Sequence, residues 1–134
     1  MALQYSTTHR TNAMTDIATQ AGSSAVIKIW SGSPPATCAT ADTGTLLVTL
    51  TGNASGLGTA TSGVLTFSSI TSGTAGNTGT AGYFRVYPSA ATSTNAVLQG
   101  TVGTSGTDMI IASTSISSGQ TVSISSWTIT AFGA

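Results

Sequence analysis

Charge is the first thing this chain lacks. It has no glutamate, three aspartates and three basic residues, so 4% of its 134 residues are charged and the formal net charge is +0. An average soluble domain carries about 25% charged residues. Nucleic-acid binding by phosphate neutralisation needs clustered Lys and Arg. Arg10, Lys28 and Arg85 are far apart in sequence and matched in number by Asp16, Asp42 and Asp108, so no nucleic-acid partner is expected. Cysteine is nearly absent too: Cys38 is alone, which excludes an intrachain disulfide. No hydrophobic run approaches the ~20 residues of a membrane span, so no membrane partner is expected. The start "MALQYSTTHR" has no signal-peptide core, and the expected site of synthesis is a bacterial cytoplasm without signal-peptide export.

Thr, Ser, Gly and Ala fill the place of the missing charge, while hydrophobic residues hold an ordinary 40%. Hydroxyls and small apolar groups are wettable yet cost far less to desolvate than ammonium or carboxylate groups. Charge depletion also marks the cores of protein interfaces, and a net charge near zero favours association. The composition therefore predicts a protein that packs against other proteins, itself included. The length predicts a single domain spanning 1–134, long enough to build one core without disulfides or metal.

One helix is predicted, over residues 9–21. Arg10, Ala13, Met14, Ile17, Ala18 and Ala21 recur at helical spacing in a narrow stripe. Thr8 is the expected N-cap and Gly22 the expected stop. After "GSS" the rhythm becomes that of strands. In "AVIKIWSG", Ile27 and Ile29 face one way and Val26, Lys28 and Trp30 the other, and Pro34-Pro35 ends the run. "TLLVTLTG" sets Leu47 and Thr49 against Leu46, Val48 and Leu50. "GVLTFSSI", "GYFRVYP", "NAVLQGTVG", "DMIIAS" and "TVSISSWTITAF" complete about seven short strands. The last changes phase between Val122/Ile124 and Trp127/Ile129, which a bulge near Ser125-Ser126 would reconcile. "TSGTAGNTGTAG" reads as an exposed Gly/Thr loop. Seven short strands between Gly/Ser/Thr turns predict a mainly all-β domain, a β-sandwich or jelly roll with one N-terminal amphipathic helix.

Chemistry-bearing patterns are few. Asp42-Thr43-Gly44-Thr45 matches the aspartic-protease signature, but it follows the polar loop "CATA" instead of an apolar strand, and a turn is the better reading. His9 reads as a first-turn helix residue, and Cys38 as an inert loop residue. One His and one Cys cannot supply the four ligands of a structural zinc site, and no G-x-S-x-G elbow occurs. "GLGTATSG", residues 56–63, has no following lysine or helix and precedes a strand, so it is not read as a phosphate loop. Asn53-Ala54-Ser55 is formally a glycosylation sequon and reads as a chance match. No catalytic, cofactor or metal residue is assigned, and the chain is not expected to be an enzyme.

The candidate site is an interface. In "GYFRVYP", alternation sets Tyr83, Arg85 and Tyr87 on one face, with Phe84 and Val86 on the other as core. Tyr and Arg are enriched at interfaces because they bury much area and keep a polar handle. Lys28 beside Trp30 is a second, similar patch. Arg10 and Asp16 stand six apart, outside the three-or-four spacing of helix pairs, so one of them is expected to reach the β body or a neighbouring subunit. On this reading Arg85→Ala weakens assembly and leaves the isolated fold intact.

The strings "RTNAMTDI", "IKIWSGSPPATCATADTGTLLVTL", "GTAGYFRVY", "LQGTVG", "GTDMII" and "SISSGQTVSISSWTITA" resemble a family of small tailed-bacteriophage proteins. Their genes lie among those for virion structure. The resemblance covers almost the whole chain through turns, core positions and a few polar anchors, and it carries no catalytic motif. It implies a virion component: a capsid decoration or cement protein that binds the major capsid protein, as a trimer or dimer. The alternatives are a neck, tail or fibre subunit, including a host-binding one, and more remotely a small hydrolase using Asp42 or His9.

Overall fold

The computed structural model describes residues 2–124 and 127–134. It opens with helix α1, Thr7–Ala21. Ser6, in extended conformation, caps the helix by accepting the His9 backbone N–H at 3.1 Å. The cap is therefore two residues before the expected Thr8. Ser6, Thr7 and Thr8 are all competent caps by type. Tertiary anchoring selects Ser6, because the Tyr5 N–H donates to the Gly133 carbonyl at 2.7 Å and holds the preceding chain extended. Gly22 ends the helix as expected, at φ 68° with its N–H on the Ala18 carbonyl. Met14 and Ala21 are buried and Ile17 and Ala18 partly buried, so most of the predicted stripe faces inward, while Ala13 stays exposed.

Eleven short strands follow: β1 Val26–Ser31, β2 Leu46–Thr51, β3 Gly58–Thr61, β4 Val64–Phe67, β5 Gly73–Thr74, β6 Gly79–Tyr87, β7 Leu98–Gly103, β8 Met109–Ile110, β9 Ser115–Ile116, β10 Thr121–Val122 and β11 Thr128–Thr130. The main sheet runs β2-β1-β6-β7-β8, with β9 paired to the start of β6. It is antiparallel except for β7 and β8. A second sheet runs β11-β4-β3, with α1 packed on β3 and β4, and β5 pairs β10 in a third. The protein is β-rich with a single helix among the described residues.

Three expectations need correction. The glycine stretch 56–63 is not merely a loop before a strand, since β3 lies inside it and forms a hairpin with β4. The turn is Ser62-Gly63, at φ 51° and 79°, the left-handed pair that a two-residue hairpin requires. The Gly/Thr stretch 71–82 contains β5 and the first residues of β6, whose backbone groups pair with β10 and β9. The expected last strand is two elements in two sheets, β10 and β11. The bulge expected near Ser125-Ser126 lies outside the described residues.

Side-chain parity agrees more closely with expectation. Ile27 and Ile29 are fully buried, and so are Phe84 and Val86. In β2 the strict alternation breaks. Ile29 pairs with Val48 but Trp30 with Leu46, so Leu47 is an extra residue and both Leu47 and Val48 turn inward. A single hydrophobic cluster runs from Met14 to Ala131. Trp127 stacks on Phe67 at 3.9 Å and meets the edge of Phe84 at 4.7 Å, tying the β4 sheet to the main sheet. Its indole N–H is satisfied by the Asp108 carbonyl at 2.9 Å.

Candidate functional site

Antiparallel register brings five of the predicted residues onto one face. Lys28 lies opposite Arg85 and Trp30 opposite Tyr83, with Tyr87 on the same side of β6. This face is not an exposed surface. Tyr83, Arg85 and Tyr87 are each 0% exposed, and Lys28 and Trp30 are half-buried. Residues 32–45, between β1 and β2, form a strap across it. Its ends are closed by the Ser31 N–H on the Thr45 carbonyl at 3.0 Å and the Thr45 N–H on Ser31 Oγ at 2.9 Å. Gly44 closes the strap at φ 77°, and a Cβ there would collide with the Ser31 carbonyl oxygen.

Arg85 is the anchor. Its Nη1 donates to Asp42 Oδ1 at 2.7 Å and to the Ser93 carbonyl at 3.1 Å. Nη2 donates to the Thr37 carbonyl at 2.9 Å, and Nε to Gln99 Oε1 at 3.0 Å. Gln99 in turn donates to the Pro35 carbonyl at 2.8 Å. The Tyr87 hydroxyl donates to the same Asp42 oxygen, and the Tyr83 hydroxyl to the Thr43 carbonyl at 2.5 Å. Three positions of the strap, Pro35, Thr37 and Asp42, thus hang on one guanidinium and its amide neighbour. A buried charge is tolerated only when paired and hydrogen-bonded, and Arg85 has both. Burial, and next the Asp42 carboxylate it donates to, hold the Tyr87 phenol far above its usual range. Lys28 sets its ammonium 5.2 Å from the Tyr87 ring centroid, and Trp30 stacks parallel to Tyr83 at 6.2 Å.

The interface reading of Tyr83, Arg85 and Tyr87 is therefore corrected. Residue type and alternation are right, but the face they make is filled by the chain's own strap. The expected Arg85→Ala outcome changes with it, because removing Arg85 strands a carboxylate that is only 11% exposed. Asp42 is likewise more than a plain turn residue, since it forms the one ion pair among the described residues. Sequence reasoning misses this role. The available signal is a charge of opposite sign in the loop that follows β1, the strand paired with β6.

The two helix residues behave differently. Arg10 reaches the β body through packing and finds no anion there. Its guanidinium lies over the β3–β4 turn, where a Cβ added to Gly63 would come within 2.9 Å of Nη1. Its buried Nε has no partner. The neighbouring Thr11 Oγ1 accepts the Gly63 N–H at 2.9 Å. Asp16 is exposed and accepts from Gln20 Nε2 of its own helix at 2.6 Å. Neither makes the expected charge-assisted contact to the β body.

A second region carries large apolar groups at the surface. Leu3 is 75%, Tyr5 44% and Phe132 89% exposed. Tyr5 and Phe132 line a groove of about 270 Å³ between α1 and the C-terminal residues, floored by Met14, Ile17, Leu98 and Ile129. Tyr5 lies across Gly133 and stands 4.8 Å from the His9 ring. His9 is a first-turn residue as expected, and its ring serves the rim of this groove. Cys38 is half-buried in the strap. Asn53 of the sequon binds the Ser55 N–H at 2.8 Å in a local turn. Comparison with protein-family models, with curated proteins and with solved structures gives no match.

Proposed function

We propose that the chain is a structural virion protein of a tailed bacteriophage, a capsid decoration subunit that binds the lattice of the major capsid protein and stabilises the head. The observation that carries this reading is the bareness of the surface. Arg85 and Asp42 neutralise each other inside, which leaves Arg10, Lys28, Asp16 and Asp108 as the only side-chain charges, histidine aside, available to a surface of 6731 Å². Uncharged polar groups, small apolar groups and a few large apolar side chains cover the rest, a covering that desolvates cheaply against protein. The pinned strap supports the same role, because preordered loops lose less entropy when they dock. The sequence resemblance to small virion proteins supplies the setting.

In this reading the sheets stack as a sandwich or jelly-roll-like body, the partners are further copies of the chain and the shell protein, and the site is the outer capsid surface. The work is thermodynamic and not catalytic. A contact of even ~800 Å² per partner is specific, and lattice repetition multiplies it. Purified virions imaged with icosahedral averaging test it: density for the chain on the shell is expected, at many copies per particle. A few copies at the neck or tail would move the protein there, and absence from the particle would remove the virion reading altogether.

A further inference from the structure

We propose that the apolar face formed by α1, Tyr5 and Phe132 is a two-fold self-association surface whose occupant is a second copy of this chain. Three observations lead there. The first is shape. Phe132 projects at 89% exposure from the rim of the groove that Met14, Ile17 and Ile129 floor, so knob and hole lie on the same face. A surface that carries both halves of a fit can pair with itself across a two-fold axis.

The second is area. An aromatic side chain presents about 150–250 Å², so Phe132 and the exposed half of Tyr5 supply on the order of 300 Å². The groove walls and the flanking turn of α1 add to this, against the ~800 Å² that each partner gives to a specific contact. The face falls in the roughly 300–600 Å² range of the largest apolar patch on a typical monomer, a patch that is often functional, and its size suits weak, reversible association. The third is charge. Arg10 and Asp16 lie three residues either side of Ala13, which is exposed on the groove wall. Two α1 helices crossing antiparallel over Ala13 would place Arg10 of each copy beside Asp16 of the other. Neither group has an ionic partner within the chain, since the one ion pair among the described residues is Arg85 with Asp42.

The inference deepens the virion reading by naming the surface between copies, and rests on it only for its setting. Sedimentation equilibrium of the purified full chain, from micromolar to millimolar concentration, tests it without any virion. The expected result is a mass rising from 13.2 kDa towards a dimer. Phe132→Ser should weaken association about tenfold or more, the effect of losing one well-packed anchor. Its unfolding midpoint at low concentration should not move, because the side chain is exposed. Asp16→Arg should weaken association less, and more so at low salt. Ile110→Ser, 48% exposed and outside this face, should change nothing. A monomer at every concentration overturns the inference, as does a dimer indifferent to Phe132→Ser, or a closed trimer. Because shell binding is measured separately on virions, the failure of either claim leaves the other to stand on its own result.

Discussion

The strap-covered face and the helix-side groove invert the usual expectation for polar and apolar residues. On the first, an arginine, two tyrosines and an aspartate are sealed inside, where only Asp42 keeps slight exposure. On the second, a phenylalanine stands in solvent beside a half-exposed tyrosine. The difference is one of satisfaction. Arg85 makes four hydrogen bonds with partners in the strap, in β7 and in the β6–β7 loop, so its burial leaves little unpaired. Phe132 lies two residues past the end of β11 and continues its alternation. Ile129 is half-buried and Ala131 buried, so Thr130 and Phe132 point outward. One face is closed by the chain itself. The other is left open.

The sharpest way to break this comparison is Arg85→Ala. If the strap-covered face is an internal joint, the substitution strands the Asp42 carboxylate and costs about 3–5 kcal/mol in urea unfolding. A loss below ~0.5 kcal/mol, the figure for an ordinary surface site, would show that the strap is not held this way. Tyr87→Phe comes next, at about 1–3 kcal/mol, since Asp42 loses one buried donor.

Tyr87→Phe also sharpens the pH behaviour. The phenol is raised in the folded protein, so above the ordinary tyrosine value of about 10 the unfolded chain loses its proton first. The folded state then binds more protons, and stability falls as pH rises from there towards the folded value. The wild type should lose stability on that alkaline side more steeply than Tyr87→Phe, as read from unfolding midpoints across the range. Equal slopes would mean that Tyr87 is not protected.

On the open side the expected costs to the isolated fold are smaller. Ser6→Ala removes the cap that sets where α1 begins and should cost about 1 kcal/mol. Phe132→Ser should move the stability of the dilute chain by no more than ~0.5 kcal/mol while weakening self-association. A large loss there would mean that Phe132 packs inside after all, and the contrast between the two faces would vanish.

Periodic segments are legible in the sequence alone. The stripe on residues 10–21 announces α1, and alternation places Ile27, Ile29, Phe84 and Val86 in the core. The strands that escape notice are those without apolar alternation: Gly58–Thr61, Gly73–Thr74 and Ser115–Ile116. Their backbones pair because neighbours approach, and Gly, Ser and Thr leave little trace of that in a pattern. The candidate site is half legible. Alternation correctly puts Tyr83, Arg85 and Tyr87 together, and antiparallel pairing adds Lys28 and Trp30. It is blind to residues 32–45, which fold back over them.

Local pattern settles which residues of this chain share a side, since helix and strand periods are properties of a few neighbouring dihedrals. It also settles how little charge the surface can carry. Whether a given side meets solvent, a strap or another copy depends on contacts between residues 40 or more positions apart, such as Asp42 with Arg85 and Thr43 with Tyr83. Those contacts exist only after the chain has closed on itself. Closure turns an apparent gripping surface into an internal joint and leaves Phe132 outside.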